Sequence, residues 1–404
     1  MMRSSGQRLR SSANRLAAPK TFVQRPIATL SASALLANWE AICRRVPHQR
    51  ILPMVKAQAY GHGADWAARL IWRQEKSRPK GHRLAGFGVA TLDEALSLRE
   101  SVSGVPIVVF SGLLPWNSES GQVCERFGLT PVLSSIEDWR SFVRGGWARR
   151  VPFEVKFNTG MNRLGIACSE LPQVKKDLQK LAGHAIYPSG VLSHLACAES
   201  PHTPLSRTQR QLFRGIRSEL SPLFGSAVEF HVGNSAALWQ AEAWDLESLG
   251  QRVRPGLSLY GIAPRGLTAQ LPLTPVMELS APVVAIQKVR AGESIGYGRR
   301  FIAPKDLRVA ILGMGYADGL DRHWGDQNSR AVVHFGRVNR RKSRWVGAIS
   351  MDLSAVIAPS GVRVGDRAHV FGAQIDPWVQ AEAAGTIPYE ILTSLGVRVQ
   401  RIYV

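Results

Sequence analysis

A chain of 404 residues is longer than one ordinary hydrophobic core organises, and a hydrophobic share of 45% is that of a globular protein, so two domains are expected. No uninterrupted apolar stretch approaches the roughly 20 residues of a membrane-spanning helix. The four cysteines, Cys43, Cys124, Cys168 and Cys197, have neither CxxC nor metal-ligand spacing, which predicts free thiols, no bound metal and a reducing, cytoplasmic setting.

The net charge of +21 is the unusual quantity. Part of it lies in residues 1–26, where Arg3, Arg8, Arg10, Arg15, Lys20 and Arg25 stand among Ser, Gln and Asn without one acid. This segment reads as a disordered basic tail; it shares its composition with organellar transit peptides and has no apolar core of a secretory signal. A second cluster, Arg337, Arg340, Arg341, Lys342 and Arg344, has no interleaved aromatics or nucleic-acid motif, so it reads as a solvated hairpin or a salt-sensitive, anion-attracting surface. No nucleic-acid or membrane partner is expected.

In chain order, SASALLANWEAICRR, 31–45, has apolar residues at helical spacing behind a serine cap and predicts a helix. Short apolar runs then recur at Ile51–Val55, Leu84–Val89, Pro106–Phe110, Thr130–Leu133, Pro152–Phe157, Gly190–Leu192, Val228–Val232 and Arg252–Leu259. Helical patterns stand between them, including Thr91–Glu100, Ile136–Arg144, Leu171–Ala182, Ser206–Leu220 and Ala236–Ala241. Eight strands alternating with helices predict a closed (β/α)8 barrel, assigned to 27–268. Beyond it the pattern changes to β-branched runs and glycine turns. Strands are expected at Pro282–Val289, Arg308–Leu312, Arg330–Phe335, Trp345–Ile349, Ala355–Ile357, Ala368–Phe371 and Val397–Val404, with a short helix at Trp378–Ala384. This predicts a mainly antiparallel β domain over 269–404.

The first barrel run ends at Lys56, followed by a loop with Tyr60, Gly61, His62 and Gly63. Burial beside a strand disfavours the ammonium form, so such an amine can attack an aldehyde, and the glycines let backbone approach a ligand. Other polar residues gather where a barrel places its mouth: Arg163 in KFNTGMNRLG, His194 in SHLACAE, His231, Asn234 and Ser235 in HVGNSAA, and Arg254 in RPGLSLYG. Taken singly each has an ordinary reading, as a strand-end arginine, a core histidine or a helix cap.

Together with VKAQAYGHG, 55–63, these segments resemble the alanine racemases from about Arg25 to the C-terminus. The resemblance implies a homodimer that interconverts L- and D-alanine with pyridoxal 5'-phosphate (PLP) and feeds bacterial peptidoglycan synthesis. It implies that Lys56 binds the cofactor covalently, that Tyr60, Ser235 and Tyr389 hold its phosphate with the amides of Ser235, Gly256 and Leu257, and that Arg254 faces its ring nitrogen. Asn234 and His194 belong to the same cofactor site. A racemase must move protons on both faces of a planar carbanion, and the resemblance supplies Tyr316, in GMGYADGL of the partner subunit, as the base opposite Lys56. A phenol of ordinary pKa near 10 is a poor base at neutral pH, so His194, Arg163 and Arg254 are expected to favour its phenolate.

Arg163 and Met351, the latter through its backbone N–H across the dimer, are implied to bind substrate, and Lys156 matches a lysine that members of the family carry as a carbamate. Three positions depart from the family pattern: Gln58 for asparagine, Glu199 for aspartate and Ala348 for arginine. The last two bear on access and substrate range, which leaves a broad-specificity racemase for serine, lysine or arginine as the alternative, followed by a non-catalytic PLP-binding protein.

Overall fold

The computed structural model describes residues 25–78, 83–111, 115–267, 271–336 and 342–404. The basic tail through residue 24 lies outside these residues, and so does the arginine-rich cluster apart from Lys342 and Arg344.

Six parallel strands, Phe87–Val89, Ile107–Val109, Leu129–Leu133, Glu154–Asn158, Gly190–Leu192 and Glu229–His231, hydrogen-bond in that order. Arg50–Ile51 pairs in parallel with Arg252–Val253, and the bridges Ile51↔Leu84, Met54↔Gly88 and Gly233↔Val253 join this pair to both edges of the six, closing the ring. Helices between strands run from the expected patterns: Ala32–Arg45 behind its Ser31 cap, Ile136–Arg144 and Leu171–Ala182 among them. Their apolar faces and the outward faces of the strands form one large core, with Trp39, Trp139, Phe157 and Trp244 fully buried.

Inside the barrel the packing is different. A small apolar cluster of Leu52, Ala85, Val108, Val132 and Leu192 shares the interior with the buried charged or polar residues Glu154, Lys156, His231, Arg252 and Arg254. Glu154 and Lys156 are two apart on one strand, as are Arg252 and Arg254 at the last, which is the spacing that sends both members of each pair to the same face.

The second sheet is mainly antiparallel, in the order Lys342–Arg344, Val332–Phe335, Arg367–Phe371, Met277–Val289, Ile27–Leu30 and Gln400–Tyr403. The long strand Met277–Val289 changes partners along its length: up to Pro282 it pairs with Arg367–Phe371, and from Val283 onward with Leu307–Leu312, which in turn pairs with Ser354–Ile357. Pro282 has no N–H to give to a ladder, and the register shifts on either side of it bend the strand from one partner to the other.

Three features differ from expectation. Ile27–Leu30, which no apolar pattern singled out, lies in the second sheet, antiparallel to Met277–Val289 and parallel to Gln400–Tyr403. The expected strand at Trp345–Ile349 is displaced to Lys342–Arg344, with Trp345 making one bridge to Val356. A helix, Pro388–Thr393, stands where none was expected and delivers Tyr389 to the barrel mouth. No helix among the described residues is long and apolar enough to cross a membrane.

Candidate active site at the barrel mouth

The segment after Lys56 looks like helix-forming sequence, yet it turns the wrong way. Ala57, Gln58, Ala59 and Tyr60 all take the left-handed conformation, with φ of 49, 53, 53 and 55°. L-residues adopt it at a cost of about 1–2 kcal/mol each. Neighbours hold it in place. The Ala57 N–H donates to Glu94 Oε1 at 2.7 Å, the Gly63 N–H to the Gln58 carbonyl at 2.7 Å, and Arg401 Nε to the Gly61 carbonyl at 2.9 Å. Gly61 and Gly63 also admit close approach: a Cβ on either would stand 2.4 Å from the Leu392 carbonyl or the Tyr403 hydroxyl, respectively. Residues of the second domain thus brace the turn that presents Lys56, and strain of this kind gathers at functional sites.

Glu94 had no role in the sequence reading. Its carboxylate completes the capping box of the helix Leu92–Ser101 with Thr91 and also binds the turn; the Thr-x-x-Glu spacing was the signal that could have found it.

Lys56, Tyr60, Lys156, Arg163, His194, Asn234, Ser235, Arg254, Gly256, Leu257 and Tyr389 line one cavity of about 560 Å³ at the carboxyl ends of the barrel strands, with Met54, Phe110 and Ile387 among its apolar walls. Four of these residues are cationic types and none is a carboxylate, so the cavity favours an anionic ligand. Burial, then the guanidinium of Arg163, lowers the pKa of Lys56, while Glu94 opposes the shift. Lys156 is pushed down to about 8 by burial and by Arg254, Arg163 and Lys56.

His194 falls to about 3 through burial and the surrounding cations, so its imidazole is neutral. That corrects the expectation of a cationic His194 beside Tyr316. Arg254, 4% exposed, is lowered by burial to about 10 and still carries its charge at neutral pH.

At one end of the cavity the Gly256 and Ser258 N–H groups donate to Ser235 Oγ at 2.9 and 3.3 Å, so hydroxyl and amides converge on one small region. A Cβ at Gly256 would stand 2.3 Å from the Tyr60 hydroxyl, so only glycine leaves the space between them open. Tyr60 and Tyr389, with ring centroids 5.8 Å apart, both keep their phenol protons: burial raises Tyr60, and burial together with Glu199 raises Tyr389 to about 12. Asn234 acts as a cap, its side-chain oxygen accepting from the Ala236 and Ala237 N–H groups, both at 3.1 Å. These donors suit a phosphate, and the lysine beside them suits an aldehyde. Gly256→Ala is therefore expected to weaken cofactor binding at least about tenfold, or about 1.4 kcal/mol, in a spectrophotometric titration of apoprotein with PLP.

Tyr316 and Met351 do not line this cavity. They lie together on the second domain, 40% and 52% exposed, where the Tyr316 N–H donates to the Ser350 carbonyl and the Ala317 N–H to the Met351 carbonyl, both at 3.0 Å.

Fold and cavity define a two-domain barrel enzyme whose mouth is charged and shaped for a small anionic cofactor. Within that class, the chain belongs to the alanine racemase family. Residues 30–264 match the alanine racemase N-terminal domain and residues 276–403 the C-terminal domain. The alanine racemase of Marinobacter nauticus is 34% identical over 381 residues, covering 93% of this chain and 98% of the relative. The biosynthetic alanine racemase of Agrobacterium fabrum is 32% identical over 394 residues, 95% of each. Among solved structures, the biosynthetic alanine racemase of Pseudomonas aeruginosa superposes with a TM-score of 0.81 at 29% identity, covering 94% of this chain and 99% of that one. The Bartonella henselae alanine racemase, solved with covalently bound pyridoxal phosphate, gives 0.80 at 29% identity over the same shares.

Proposed function

We propose that this chain interconverts L- and D-alanine with PLP held at the barrel mouth, working as a homodimer in the cytoplasm to supply D-alanine for peptidoglycan. The observation that carries the reading is the single cavity joining Lys56, Arg254 and the cradle of Tyr60, Ser235, Gly256 and Tyr389. Lys56 would hold the cofactor's aldehyde carbon, and the cradle with the Leu257 amide would hold its phosphate. When bound, PLP withdraws electrons from the Cα–H bond of the attached amino acid.

The residues do the rest. The depressed pKa of Lys56 suits its amine to take a proton from Cα on one face and return it there. Tyr316 of the partner subunit would serve the other face, and the exposure of Tyr316 and Met351 outside their own cavity supports their use by a second copy. Arg254 presents N–H groups that it does not give up, so facing the cofactor's ring nitrogen it would leave that nitrogen unprotonated and limit how far negative charge could spread into the ring. Arg163, at the mouth, and the Met351 N–H of the partner subunit would fix the substrate carboxylate.

Lys156 fits a carbamate. Its lowered pKa leaves free amine near neutral pH, and the nitrogen can add to carbon dioxide with loss of a proton, giving an anion among Arg254, Arg163 and Lys56. Protein equilibrated with ¹³C-bicarbonate is expected to show a carbamate resonance that Lys156→Ala abolishes; identical spectra would remove the modification.

The direct test of function incubates purified protein and PLP with L-alanine and assays the D-enantiomer by chiral chromatography; no D-alanine would refute the reading. A panel of L-serine, L-lysine and L-arginine in the same assay measures breadth, which Glu199 and Ala348 bear on.

A further inference from the structure

We propose that Glu154, deep in the barrel, is a positioning residue for Arg254, acting through His231 by fixing which imidazole nitrogen carries the proton. The three side chains form a buried relay: Glu154 and His231 are 0% and Arg254 4% exposed. Glu154 Oε2 lies 3.1 Å from His231 Nε2, and His231 Nδ1 lies 2.6 Å from an Arg254 terminal nitrogen. The same guanidinium donates to the carbonyls of His231 at 3.0 Å and Ser193 at 2.7 Å.

Donor and acceptor arithmetic admits one arrangement. A guanidinium only donates, so Nδ1 is bare and accepts; an ionised carboxylate only accepts, so Nε2 carries the proton. A doubly protonated ring would aim an N–H at an N–H across 2.6 Å. The carboxylate is kept ionised from its far side by Arg252, which binds Glu154 Oε1 and is itself paired with Glu229. Burial alone would raise the pKa of Glu154, but the Arg252 guanidinium and the hydrogen bonds from His231 and Arg252 hold it down at about 2. Burial likewise keeps His231 neutral, near 4. The space for the contact is reserved by Gly190, where a Cβ would stand 2.9 Å from His231 Nε2 and 3.1 Å from the Glu154 carboxyl.

Without the carboxylate the ring is free to move its proton to Nδ1, and Arg254 then meets a donor where it had an acceptor. The guanidinium that faces the cavity loses its imidazole anchor and keeps only the carbonyl contacts that include His231 and Ser193, so its orientation is less tightly fixed, while the cavity walls and the substrate contacts are untouched. The kinetic half of this inference rests on the assignment of Arg254 to the cofactor ring; the tautomer does not.

Glu154→Gln tests it at nearly constant volume. A glutamine has one oxygen, which charged Arg252 takes, leaving an NH₂ group to face Nε2 and drive the proton to Nδ1. Long-range ¹H–¹⁵N spectra of [¹⁵N]histidine-labelled holoenzyme, with His231 assigned by its deletion, are expected to show the Nε2–H form in the wild type and the Nδ1–H form in the variant. The variant should lose about 10- to 100-fold in kcat, the range found when hydrogen-bonded partners that orient metal ligands are removed, with KM for alanine changed less than about threefold. Glu154→Asp, which keeps a carboxylate, should restore the Nε2–H form and part of kcat.

A wild-type ring protonated at Nδ1 overturns the proposal even if no variant folds. So does Glu154→Gln with its tautomer unchanged, or with a flipped tautomer and unaltered turnover. The tautomer is read whether or not alanine turns over, so failure of the racemase reading shows separately, as wild-type enzyme that makes no D-alanine.

Discussion

Lys56→Ala should remove at least about 10⁴-fold of the racemase rate, the upper range for loss of a positioned acid–base group, and should also leave no cofactor attached to the protein. Both losses have one physical source. The amine stands at the mouth of a barrel whose neighbours, Arg163 first among them after burial itself, disfavour its protonation, so it is available both as nucleophile and as base. The measurement is turnover by chiral chromatography, paired with the mass of the protein after borohydride reduction in the presence of PLP. Wild-type protein gains the cofactor mass and the variant does not. A variant that still racemised at wild-type rate would refute the role given to Lys56, leaving Lys156 as the other lysine that lines the cavity.

Tyr316→Phe is expected to slow racemisation by roughly 10²- to 10⁴-fold, and in a way that distinguishes it from damage to the fold. One face of the intermediate keeps its base and the other loses it. In deuterium oxide, the enantiomer whose Cα–H faces Lys56 should continue to exchange its proton without inverting, while its mirror image exchanges little. Exchange slowed equally for both enantiomers would contradict the assignment. The side chain removed is a hydroxyl on a residue 40% exposed, with Arg322 5.9 Å from its ring, so the substitution leaves no buried gap in the isolated chain.

What could be read in advance follows from which forces are local. The barrel was legible because each strand is a short apolar run that must be covered on its outer face, and helices such as Ile136–Arg144 and Leu171–Ala182 advertise their own periodicity. The convergence of Lys56, Arg163, His194, Ser235 and Arg254 was legible because strand ends in a barrel share one mouth. Handedness was not: Ala, Gln and Ala after Lys56 are good formers of the ordinary helix, and only contacts from Glu94, Arg401 and the glycines turn them the other way. Nor could Glu154 and Arg252 be recognised as partners, since they stand 98 positions apart and each looks like a stray charge in a strand. The neutrality of His194 belongs to the same group, as burial depends on the assembled cavity.

The pairing of Ile27–Leu30 with both Met277–Val289 and Gln400–Tyr403 bears on how the molecule can be assembled. A ribosome makes that first strand early and its two neighbours late, so the segment has to wait, unmatched, until nearly everything else has emerged. The second domain therefore cannot be completed autonomously from its own stretch of polypeptide: a piece starting near Leu271 would leave a slot between its long strand and its final one, with two ladders of backbone groups open to water or to a neighbouring copy. Dissection experiments should accordingly transplant 25–31 along with the later half, and a shortened version lacking those residues is expected to aggregate on refolding.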